Sequence, residues 1–291
     1  MMNNKNLILA GLILLSVGCS SSKVKNYNEG DKKSFGEFDN EVEGSPKSAT
    51  PGGKSSPQVD EKETPKVSSS ELGDKFEAAV NSQRENEMIA TGSELLARDS
   101  ENVKILNGFA IFYLKNNEPD AAKIYFDRVL AKDPKNADAN NGIGVIQMKE
   151  GKEYEAQGSF KKALLGDNDH LGASANLGAY YLKYLDYDKA LALLENAYDE
   201  DKSNPAIANN YAIALRGVGK VDKALSVYKS IDSKNQKVPV LLNQAILWAE
   251  FKKDSKEAKE ILNKVRFITT DPVILKKVNT LTQKLDQEVT K

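Results

Sequence analysis

Five alanines stand 34 residues apart, at Ala122, Ala156, Ala190, Ala224 and Ala258. Four residues after each comes a large apolar residue (Phe126, Phe160, Leu194, Tyr228, Leu262), and three further on another apolar one (Val129, Ala163, Ala197, Ile231, Val265). The i, i+4, i+7 spacing puts the three on one helical face. A phase of 34 residues kept for five cycles predicts helix pairs that stack, because one pair cannot bury its apolar face and must share a continuous core with its neighbours. The alanine marks the closest approach between helices, where a larger side chain overpacks.

Units begin at Val103, Ala137, Leu171, Pro205 and Pro239. Position 7 of each reads Phe109, Ile143, Leu177, Tyr211 and Ala245; position 8 reads Ala110, Gly144, Gly178, Ala212 and Ile246; position 11 reads Tyr113, Gln147, Tyr181, Leu215 and Ala249. With the alanine at position 20 and the apolar residues at 24 and 27, this pattern resembles the tetratricopeptide repeat family over most of residues 69–272. Position 4 departs from it, with Asn140, Ser174 and Ala208 where the family has an aromatic residue. The resemblance implies an all-α, right-handed superhelical solenoid of about five to six helix pairs: a degenerate first unit at 69–102, five units at 103–272 and a capping helix at 273–291. In the first unit Leu95–Asn102 aligns with Val129–Asn136, but Met88 and Gly92 occupy the alanine and aromatic places. Asn117, Gly151, Leu185 and Gly219 mark the turns inside units, and Asp271-Pro272 starts the capping helix, with Asp as N-cap and Pro at N1.

Residues 1–19 read as a signal. Lys5 is followed by an apolar run, Leu7 to Val17, too short to span a bilayer, and then Gly18-Cys19. The segment resembles a bacterial lipoprotein signal whose lipidated residue is Cys19; the alternative is an ordinary secretory signal that carries a cysteine. Ser20 after the cysteine is similar to lipoproteins sorted to an outer membrane, which implies a periplasm-facing envelope protein. Cys19 is the only cysteine, so no intrachain disulfide can form. Residues 20–68 are rich in Ser, Gly, Pro and charge and read as a disordered linker, with a reach of roughly 35–40 Å.

Net charge is −1 over 291 residues. Nucleic acid demands a basic footprint, so it is a poor candidate partner. No catalytic constellation stands out. A metal site would draw on Asp167, Asp169 and His170, read here instead as a polar connection with an N-cap aspartate. Gly217-Val218-Gly219-Lys220 lacks the first glycine and the final Ser or Thr of a phosphate loop, and Gly142-Ile143-Gly144 reads as helix packing. The expectation is a non-enzyme without cofactor, metal or small-molecule substrate.

Binding is expected on the face of the first helix that, in the family, lines the concave side. Position 5 there carries Asn107, Asn141, Asn209 and Asn243, with Asn176 and Asn210 at position 6. Position 9 carries Ile111, Val145, Ile213 and Leu247, and position 13 carries Lys115, Lys149 and Lys183. Amides can pair with a peptide backbone of any sequence, so the row is expected to lie open as a peptide groove. The architecture resembles envelope repeat lipoproteins that serve as pilotins for type IV pilus secretins or in gliding motility. That implies a scaffold or assembly factor with a protein partner; the alternative is a regulatory adaptor of a cell-wall enzyme.

Overall fold

The computed structural model describes residues 68–289, in which thirteen α-helices follow one another with no strand among the described residues. In chain order they are α1 (Ser69–Asn81), α2 (Glu85–Arg98), α3 (Val103–Lys115), α4 (Pro119–Lys132), α5 (Ala137–Lys149), α6 (Glu153–Gly166) and α7 (Leu171–Lys183). There follow α8 (Tyr187–Glu200), α9 (Pro205–Gly217), α10 (Val221–Ser230), α11 (Val238–Leu247), α12 (Ser255–Ile268) and α13 (Pro272–Val289). Cys19 and the linker up to residue 67 lie outside the described residues.

Two rows of residues set the punctuation. Ser68, Asn102, Asn136, His170 and Asn204 are N-caps at 34-residue intervals, each accepting a backbone N–H three residues on at 3.0–3.3 Å. Gln83, Asn117, Gly151, Leu185, Gly219 and Lys253, also 34 apart, all adopt left-handed φ between 55° and 82°. At each, the chain reverses between the first (A) and second (B) helix of a unit, the usual way a helix ends. Both rows reach back to α1–α2, so the first helix pair has the repeat's turn geometry even though its packing residues differ.

Leu185, like Gln83 and Lys253, is a costly member of the second row. A branched side chain at φ 60° carries roughly 1–2 kcal/mol of steric cost, and Leu185 stays 47% exposed, so burial does not offset it. Leu185→Gly should therefore raise stability by about 0.5–1 kcal/mol, after subtracting glycine's entropy loss of about 0.5–1 kcal/mol. The urea midpoint measures this, and a lower midpoint would contradict it.

The period slips once. α10 is ten residues long where the other B helices have fourteen, and a 3-10 turn at Ser233–Asn235 follows. α11 then starts one residue early, after the uncapped Lys237. A π-helical turn at Trp248–Lys252 absorbs the extra residue. In the earlier units the N–H of the B-helix N-cap reaches a carbonyl five residues back, as Glu118 to Tyr113 at 2.9 Å; here Asp254 reaches six back, to Trp248 at 3.0 Å. Asp254 thus returns to the 34-residue phase.

The alanine ladder forms the inner seam of each pair: all five alanines are fully buried, and the large residues four places on are buried with them. Gly142 and Gly144 show how tightly it closes, since a Cβ would lie 2.1 Å from the Phe126 ring and 2.5 Å from that of Phe160. Each B helix packs on its own A helix and on the next one, while A helices also touch one another in series from α1 through α3, α5, α7 and α9 to α11. The A helices therefore form the inner face of the solenoid. α13, capped by Asp271, closes it by laying Val278, Leu281 and Leu285 against α12.

Candidate functional site: the inner face of the A helices

The asparagine row does not lie open along its length. Asn107, Asn176, Asn209, Asn210 and Asn243 are buried, and so are Val145, Ile213 and Leu247 beside them. Asn243 Nδ2 donates to Asn209 Oδ1 at 3.1 Å, joining α11 to α9. Asn176 Nδ2 donates to Asn141 Oδ1 at 3.0 Å, joining α7 to α5. Asn107 Nδ2 donates to the capping Asn136 Oδ1 at 3.0 Å, and Asn209 Nδ2 reaches Asn210 Oδ1 at 3.4 Å. The expected open strip is corrected here. Successive A helices approach closely enough at these positions that one amide meets another, and each supplies both a donor and an acceptor. A helical wheel identifies the shared face but cannot distinguish an open groove from a seam.

Access remains at isolated positions of this face and at the C-terminal ends of the A helices in all five units, where Arg216 and Glu250 are half-buried and Gly217 and Phe251 exposed. Ile111, Lys115, Asn141 and Met148 are half-buried, and Lys149 and Lys183 are exposed. The last two reach back to the preceding unit. Lys149 Nζ donates to Asn117 Oδ1 at 3.1 Å, while Lys183 pairs with Glu153, whose other oxygen accepts from Tyr184 Oη at 2.7 Å. Hydrogen bonds from Lys183 and Tyr184 hold the Glu153 carboxyl below its ordinary range, and the same contact pushes the Tyr184 phenol up to about 12.

His170 is a cap, not a ligand. Its Nδ1 accepts the Ala173 N–H at 3.0 Å, so the proton sits on Nε2, which lies 3.0 Å from Asp138 Oδ1 on the preceding unit. The cap is His170 itself, one residue beyond the expected aspartate; the regular spacing of Asn102, Asn136 and Asn204 carried that signal. Asp167 accepts from the Asp169 backbone at 3.1 Å, and among the described residues no cluster of three metal-ligating side chains forms. His170→Ala should cost about 1–2 kcal/mol, and His170→Asn less, since asparagine restores the cap. Equal losses in urea unfolding would contradict the capping role. Gly219 occupies the left-handed turn, and Gly217 packs with a would-be Cβ 2.2 Å from the Tyr187 ring, so neither forms a phosphate loop. Trp248 is half-buried and packs between the cores around α9 and α11.

Tetratricopeptide repeat models match residues 108–170 and 181–243. No curated protein matches the chain in sequence. Among solved structures, PilF of Pseudomonas aeruginosa superposes with a TM-score of 0.59 at 17% identity, over 76% of this chain and 99% of that one. YrrB, described as a tetratricopeptide repeat protein with an unusual peptide-binding site, gives 0.52 at 22% identity over 65% and 97%. The Cut9–Hcn1 hetero-tetramer of the APC/C gives 0.57 at 16% identity over 77% and 44%. These likenesses establish a tetratricopeptide-repeat-like solenoid, a fold that typically mediates protein–protein interaction.

Proposed function

We propose that this repeat solenoid is a lipid-anchored envelope scaffold or assembly factor that holds a protein or peptide partner against the inner face of its A helices. The observation that carries the reading is the accessible strip on α3 and α5, where Ile111, Asn141, Met148 and Lys149 keep solvent contact while the asparagines of α7, α9 and α11 are sealed. The strip combines an amide, aliphatic surface and ammonium groups, which suits an extended segment of acidic or neutral character. YrrB offers a precedent for peptide binding on a solenoid of this fold. Cys19 supplies the anchor, in an outer membrane with the solenoid facing the periplasm, and assembly of pilus secretin or motility machinery is the narrower assignment.

A photo-crosslinking residue at Asn141, compared with one at Lys161 on the B helix α6, tests the reading in intact envelopes. Adducts from position 141 alone are expected, and their identity separates a secretin or motility subunit from a cell-wall enzyme. Adducts from position 161 alone would move the partner to the outer face. Cys19→Ala should abolish lipid labelling; unchanged labelling would remove the anchor.

A further inference from the structure

We propose that the corner where α12 turns into α13 inserts into the headgroup region of an anionic lipid bilayer. Three apolar side chains protrude there: Phe267 is 90% exposed, Val273 61% and Ile268 53%. α12 and α13 pack against each other across the connection 269–271, so the three share one end of the helix pair. The fold does not require them. α13 already covers the apolar face of α12, and Ala131, Leu165 and Asp199, the counterparts of Phe267 four, three and two periods earlier, are exposed too. The repeat leaves this position in solvent whatever occupies it, so an aromatic ring here has no packing role.

The charge around the corner decides what covers it. Between residues 264 and 277 the sequence holds Lys264, Arg266, Lys276 and Lys277 against one acid, Asp271. The Asp271 carboxylate is engaged as the α13 cap, accepting from Val273 N at 2.8 Å and Ile274 N at 3.3 Å. Lys264 and Lys276 are exposed, each within one turn of the apolar tip. An apolar tip ringed by long basic side chains matches a bilayer whose surface is negative and whose interface is apolar just below it. Among the described residues no helix is long and apolar enough to cross a membrane, so this contact lies on the bilayer and does not span it. The inference depends neither on Cys19 nor on the inner-face strip.

The test uses the full chain carrying Cys19→Ala, which leaves no native thiol. A small fluorophore is attached through Val273→Cys, with Lys161→Cys as the reference site. Vesicles contain brominated phosphatidylcholine alone or with phosphatidylglycerol. On anionic vesicles the fluorophore at 273 should be quenched and that at 161 should not. Phe267→Ser with Ile268→Ser in the Val273→Cys background should abolish the quenching, and neutral vesicles should require roughly tenfold more lipid. All these substitutions are at exposed positions, so folding is retained. Equal quenching at both sites, or none at 273, would overturn the proposal. So would a signal at 273 that responds to protein concentration without vesicles, which would make the corner a contact between copies.

Discussion

Ala190→Arg should abolish the single cooperative melt of the solenoid. Ala190 is fully buried at the seam between α7 and α8, in a core with Leu182, Leu194 and Tyr211. Overpacking such a site costs about 1–3 kcal/mol. An uncompensated buried charge adds roughly 3–5 kcal/mol, a large share of a typical domain stability of about 5–15 kcal/mol. Because each unit is stabilised by its neighbours, damage in the third unit uncouples the units on either side. Thermal melting followed by far-UV circular dichroism should show early, non-cooperative loss of helix. A wild-type curve would mean that Ala190 faces solvent and the repeat register is wrong.

Asn209→Ala should also be destabilising, by about half as much, although alanine is the better helix former. Asn209 has no exposed surface and sits between two partners: its Oδ1 accepts from Asn243 and its Nδ2 reaches Asn210. Truncation strands the Asn243 donor inside the seam, where an unsatisfied buried polar group costs about 1–3 kcal/mol. It also leaves a small void, so the sum is roughly 2–4 kcal/mol. Asn141→Ala should cost less, about 1 kcal/mol, because its site is half-exposed and water can replace the lost acceptor for Asn176. Urea unfolding of the two variants side by side measures the difference. Equal, small losses would place Asn209 in solvent.

The fold was legible because its determinants are local and periodic. Ala122 to Ala258 needed only a 34-residue ruler, and the burial of all five follows from a stacked helix pair. Asp271-Pro272 signalled the last helix through capping chemistry alone. The slip before α11 was not legible. Pro239 suggested a helix starting in phase, yet the shortened α10 brings Val238 into the first turn and the π turn at Trp248 compensates. Such a shift depends on how neighbouring units pack, which a one-dimensional pattern does not carry. The candidate site was half-legible for a related reason. The period put Asn141, Asn209 and Asn243 on one face, but their access depends on the distance between successive A helices. Asn141 keeps solvent contact and Asn209 keeps none, though they occupy the same position of the repeat.

The asparagines of the A helices hold successive units together by bonding to one another, and a double-mutant cycle on Asn209 and Asn243 tests this most directly. Urea unfolding of Asn209→Ala, Asn243→Ala and the double variant gives the coupling. Residues sharing one buried hydrogen bond should couple by about 1–2 kcal/mol, with the double variant losing less than the sum of the singles, because neither partner of that bond is left stranded. Additive losses within about 0.3 kcal/mol, each small, would contradict it and would leave the amides facing solvent as an open row.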